Sequence, residues 1–178
     1  MNLDEFLYQY VEGYLFCDLQ KMGDIKLIEG EDFGAAGYSM LTATTAGMEL
    51  LGWLARDSET KFEHKTWKSG QNFCYFWDNF FTKQNPKKYT SKGKLIYELV
   101  RNGLAHSYIA KPGILVTKGH PEYHMNISTE PYQLTIDVQE FIGDFKKVYE
   151  TLWKLNISNN KDGAELRLNS IRTYAFAK

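Results

Sequence analysis

Apolar residues recur every three or four positions along most of this chain, a spacing that predicts a mainly α-helical body of four to five helices. Leu3, Phe6, Leu7, Tyr10, Val11, Tyr14 and Leu15 keep that rhythm and predict a first amphipathic helix over 3–22. Asn2 or Asp4 can cap its start, and Asp4 and Glu5 suit the positive end of its dipole. A second helix is predicted over 39–56, with Met40, Leu41, Ala43, Thr44, Met48, Leu51 and Leu54 on a buried face. Gly47 and Gly52 would let another helix approach it closely. A third, over 69–81, carries Phe73, Phe76, Trp77, Phe80 and Phe81 as a core stripe and breaks at Gln84-Asn85-Pro86. A fourth covers 95–108 and starts near Thr90 or Ser91, both capable caps. On it Ile96, Leu99, Val100 and Gly103 fall to one side, and Tyr97, Arg101 and Ala105 to the other.

After Lys111-Pro112-Gly113 the period changes from helical to alternating. Residues 114–117, 123–127 and 132–136 read as short strands, separated by Gly119-His120-Pro121 and by 128–131. They predict a small hairpin or meander, over about 114–136, that projects from the helices before the last long helix. Asp137 can cap that helix and Glu140 complete a capping box, with Phe141, Phe145, Val148, Tyr149, Leu152 and Trp153 along its apolar face. It should end near 156–159, leaving a tail from about 160 to 178 as a short strand or extended arm. The stretches 24–38 and 58–68 read as connections. The glycines of the first lack the Gly-Lys-Ser/Thr of a phosphate loop, and His64 in the second reads as solvated.

At 178 residues, a single domain over 1–178 is expected. Aromatics make up 15% of the chain, which fits a well-filled core or, as the alternative, an aromatic partner surface. The net charge of −1 excludes general attraction to polyanions, but the charges are unevenly spread. Residues 1–32 hold eight acids against two lysines, and residues 81–119 hold eight bases against Glu98. Cys17 and Cys74 sit in apolar helical patterns and predict buried free thiols. The acidic amphipathic start is unlike a signal peptide, and no apolar run reaches the ~18 residues of a membrane span, so a cytoplasmic protein is expected. His120 and His124 are four apart but in strand or turn, so they do not form the helical metal pair. Neither a metal nor a cofactor is expected.

The candidate chemistry lies on the fourth helix. Asn102 and His106, four apart, share one helix edge, with Glu98 a turn earlier and Arg101 flanking it. Arg101, Asn102, His106 and Tyr108 spell R-N-x-x-x-H-x-Y, in the basic part of the chain. That pattern resembles the signature of the HEPN superfamily, helical domains that include many metal-independent ribonucleases. The ending with Tyr two residues after His is similar to HEPN toxins encoded beside a minimal nucleotidyltransferase antitoxin.

The resemblance implies a HEPN-like bundle. It further implies a homodimer whose protomers pool Arg101 and His106 in one cleft, and RNA as the substrate. It also implies an antitoxin partner that attaches AMP to Tyr108. His106 suits proton transfer, Arg101 offers a fork of donors to phosphate, and Asn102 can orient either. Glu98 would line the site, and Lys92, Lys94 and Lys111 would contact RNA phosphates. An Arg–Asn–His edge can equally make surface hydrogen bonds only. The alternatives to an endoribonuclease are therefore a non-catalytic module that binds RNA or a partner, and a helical dimerisation scaffold.

Overall fold

The computed structural model describes residues 1–26, 29, 35–56, 68–107 and 111–176, with the side chains of 105–107 and 171–176 outside that description. His64 and Tyr108 lie outside the described residues. The fold is mainly helical, with one small three-stranded sheet. Among the described residues, no helix is long and apolar enough to cross a membrane.

Helix α1 runs over 3–24. Asn2 caps it: its side-chain oxygen accepts from the Glu5 N–H and the Glu5 carboxylate accepts from the Asn2 N–H, both at 2.9 Å. The buried stripe is Leu3, Leu7, Val11, Phe16 and Leu19. Tyr10 and Tyr14, expected in that stripe, are exposed, and their rings follow one another from that of Phe6, which is half-buried against the core. The cause is a run of wide π-type turns from Leu7 to Phe16, which makes the stripe step by five residues from Val11 to Phe16. Similar turns occur at Trp77–Phe81, Tyr97–Arg101 and Tyr149–Trp153.

Helix α2 (Gly37–Ala55) runs through the centre, and Met40, Leu41, Met48, Leu51 and Leu54 are buried along it. Its glycines serve close packing: a Cβ on Gly52 would lie 2.0 Å from the carbonyl oxygen of Asn72, on the facing helix. That helix, α3 (69–84), buries Phe73, Phe76, Trp77, Phe80 and Phe81, and these rings meet Phe141 and Phe145 from across the core. The expected break follows, and a short α4 (Pro86–Tyr89) starts from Asn85, whose side chain accepts from the Lys88 N–H at 3.2 Å. Helix α5 (93–107) begins later than expected. Ser91 sits at φ +63 and redirects the chain, so neither Thr90 nor Ser91 caps the helix. The helix opens instead at Gly93, where a Cβ would meet the Trp77 ring at 2.7 Å.

Strands β1 (Ile114–Thr117), β2 (Ile127–Thr129) and β3 (Tyr132–Asp137) form a sheet in the order β1-β3-β2. β2 and β3 make the expected hairpin, but β1 lies parallel to β3, with Ile114 opposite Leu134, so the sheet is not a meander. The stretch expected as a strand from 123 starts instead as a 3₁₀ turn, Pro121–Tyr123, and pairing begins only at Ile127. The sheet does not project: Met125, Leu134 and Ile136 are buried in the same core as the helices.

Asp137 caps α6 (138–158), accepting from the Gln139 and Glu140 N–H groups at 3.2 and 3.1 Å. The Glu140 carboxylate lies 3.9 Å from the Lys88 ammonium. The tail is neither strand nor arm but a further helix, α7 (Lys161–Phe176), so the sheet precedes the penultimate helix. Ala164, Arg167 and Leu168 face inward, and the Arg167 Nε and Nη2 donate to the Leu54 carbonyl at 3.1 and 2.6 Å. That arginine meets carbonyl acceptors left open at the end of α2. Leu166, on the outer face of this helix, is 72% exposed. Both cysteines are free, but Cys17 is exposed, because the wide turns of α1 rotate it off the buried stripe, while Cys74 is half-buried.

Candidate functional site

Helix α5 buries Ile96, Val100 and Leu104 and packs on α2 along 97–107. This puts Arg101 at the rim of that packing, with its side chain 24% exposed. Across from it stands Glu49, the single charged residue of α2 and 4% exposed in its side chain. Arg101 Nε and Nη2 donate to the two oxygens of the Glu49 carboxylate, the second bond at 3.1 Å. A buried carboxylate needs such a partner, and a side-on two-bond pair with guanidinium is its strongest form. Hydrogen bonding to Glu49 raises the Arg101 pKa further above its ordinary value, so the guanidinium stays charged. Tyr97, one turn earlier, rests against Phe73 at 5.6 Å, and burial pushes its hydroxyl pKa up while the Arg101 charge pulls it down.

Asn102 follows on the same helix, half-buried. His106 lies one turn further on, within the regular α-helical end of α5 (Asn102–Ser107), so the backbone carries all three motif residues on one helix. The side chain of His106 is outside the described residues. Glu98 is about half exposed and pairs with Lys94 at 3.8 Å, on the solvent side of α5. Lys92 donates to the Lys88 carbonyl at 2.7 Å and is half-buried, so it is committed within the chain. Lys111 is exposed, and its N–H donates to the Leu99 carbonyl at 3.0 Å. The three lysines thus have three different settings rather than one shared anion site.

Glu49 was not among the residues the motif singled out. Its signal is present in the sequence: it is the lone charged residue inside a long apolar helix, and an acid buried there needs a cation or hydrogen-bond donors. What the sequence does not contain is which cation.

A second polar cluster joins α4, the sheet and α6. The Tyr89 hydroxyl donates to the Asp144 carboxylate and lies 3.1 Å from the His124 Nε2. Lys88 Nζ is 3.1 Å from Asp144. Burial, reinforced by Asp144, pushes the Tyr89 hydroxyl pKa far above its ordinary value. Burial and the Lys88 charge lower His124 to about 4, so its ring is neutral near neutral pH. His120 is exposed and stands 3.5 Å from Glu122, away from this cluster. Among the described residues, no three His, Cys, Asp or Glu side chains are grouped to hold a metal ion. In a shallow groove between α1 and α6, Glu12 is bound by Lys154 at 2.6 Å and by the Tyr149 hydroxyl at 3.0 Å.

Comparison with protein-family models, with curated proteins and with solved structures finds no match to this chain.

Proposed function

We propose that the protein is a metal-independent endoribonuclease of HEPN type that works as a homodimer and serves as a toxin or antiphage effector. The observation that carries this reading is the side chain of Arg101: a charged guanidinium held in one orientation, beside Asn102 and on the helix that carries His106. In the proposed reaction the 2′-hydroxyl oxygen of RNA attacks the adjacent phosphorus. A bond forms between the 2′ oxygen and phosphorus, and the bond from phosphorus to the 5′ oxygen breaks. His106 takes the 2′ proton or returns one to the leaving 5′ oxygen, the second proton carrier being the partner protomer's copy of the same residue type. Arg101 meets the negative charge that grows on the phosphorane oxygens, and Asn102 orients phosphate or imidazole. Two α5 helices would face each other across the two-fold axis. A nucleotidyltransferase antitoxin would silence the site by attaching AMP to Tyr108.

The test is cleavage of mixed RNAs by purified protein in the presence of a chelator, wild type against His106→Ala. Cleavage by wild type alone supports the reading, and intact RNA with both proteins removes it.

The same ion pair favours a second reading. Arg101 and Glu49 together pin α5 to α2, which is all that a non-catalytic RNA- or partner-binding module, or a helical dimerisation scaffold, would require. In that case RNA or a protein partner binds without being cut.

A further inference from the structure

We propose that Glu49 is a positioning residue for the cleavage reaction: it sets the direction and the effective charge of the Arg101 guanidinium. This rests on the ribonuclease reading above. The guanidinium is a planar fork whose donors lie along more than one edge. Glu49 takes the edge formed by Nε and Nη2. The edge formed by Nη1 and Nη2 is the one that can face a phosphate while that pair is intact. Because Glu49 is almost fully buried on α2, it lies behind the arginine, on the core side. A flexible arginine at the rim would have to be ordered by the substrate, at a cost in side-chain entropy. Here that ordering is done before RNA arrives.

The charge argument runs in the same direction. Beside Glu49 the arginine is largely neutralised toward a distant anion, so it adds little to ground-state binding of a singly charged phosphodiester. As the phosphorane forms, a second negative charge develops on the oxygens. A fixed donor pair at close range then gains most, which stabilises the transition state over the ground state. Glu49→Gln should separate these effects. An amide offers one acceptor where the carboxylate offers two, so one of the two bonds to Arg101 is lost and the fork swings. The neutral amide also unmasks the positive charge.

The test measures single-turnover cleavage of a mixed-sequence single-stranded RNA and, separately, binding of the same RNA with 2′-O-methyl groups, which lacks the nucleophile. For Glu49→Gln we expect kcat to fall by about 10–100-fold while binding is unchanged or tighter, a split that a simple loss of folded protein would not produce. Glu49→Asp keeps the charge but shortens the reach, and should fold and lose kcat as well. In an Arg101→Ala background, Glu49→Gln should lower kcat no further, because Glu49 acts only through the arginine. Unchanged kcat in Glu49→Gln or Glu49→Asp, or an equal further loss in the Arg101→Ala background, overturns the positioning role while leaving the ribonuclease reading intact. Absence of cleavage by wild type overturns both together.

Discussion

The hydroxyl of Tyr89 lies 3.1 Å from Nε2 of His124, a residue 35 positions later, and the contact ties the turn before β2 to the helical body. The same hydroxyl donates to Asp144 of α6, so three separate parts of the chain meet at one oxygen. With that proton given to Asp144, the tyrosine oxygen accepts from His124, which therefore carries its proton on Nε2, while its buried Nδ1 has no well-formed hydrogen bond among the described residues. Protonating Nδ1 would place a charge in a buried site near Lys88.

The stability of the fold should therefore fall in acid. The folded pKa of His124 lies near 4 and its ordinary value is 6.5, so the unfolded chain takes up more protons between them. The stabilisation is complete above about pH 6.5 and is lost as pH drops toward 4, by about 3 kcal/mol in all. Urea unfolding from pH 7.5 to 4.5 measures it, and His124→Phe should show a shallower decline than wild type. Parallel declines would remove His124 from the account.

Arg101→Ala should cost stability as well as any activity, because it leaves the Glu49 carboxylate buried without a partner. The expected loss is about 2–3 kcal/mol, below that of a fully enclosed pair because the guanidinium is 24% exposed. An apolar pair, Arg101→Met with Glu49→Leu, should recover most of it, since the buried charge is then gone. Thermal unfolding of the three variants decides the matter. The motif alone suggests that Arg101, lying off the apolar face, could be removed at no structural cost. The pairing with Glu49 corrects that expectation.

His106→Ala should reduce RNA cleavage by about 10²–10⁴-fold if the residue moves protons in the reaction. Rates with and without chelator, for wild type and variant, check both the role and the metal independence.

Gly52→Ala should destabilise the junction of α2 and α3. The added methyl would sit 2.0 Å from a backbone carbonyl, which cannot swing aside as a flexible side chain can. A cost of at least about 1–3 kcal/mol follows from forced separation of the two helices, readable as a lower melting temperature. Gly143→Ala, where nothing stands within 4 Å, is the control and should not lower it.

The helices were legible because burial imposes a period of about 3.6 residues on the sequence, and the aromatic stripe of α3 and the capped start of α6 follow it closely. The motif Arg101-Asn102-x-x-x-His106 was legible for the same reason, as residues on one helix. Other features depend on neighbours distant in the chain. The pattern of 160–178 does not reveal α7, because its inner face is Ala164, Arg167 and Leu168, and an arginine counts as an inward residue only once the Leu54 carbonyl stands opposite it. β1 could pair with either remaining strand, and local alternation carries no information on which, so parallel pairing with β3 was decided in three dimensions. Glu49 shows the division most clearly. The sequence by itself determined that one acid stands alone inside an apolar helix, where burial would require a cation or hydrogen-bond donors beside it. Only the packing of α5 on α2 made that cation Arg101, because the strength of an ion pair depends on distance and burial, and neither is written in sequence order.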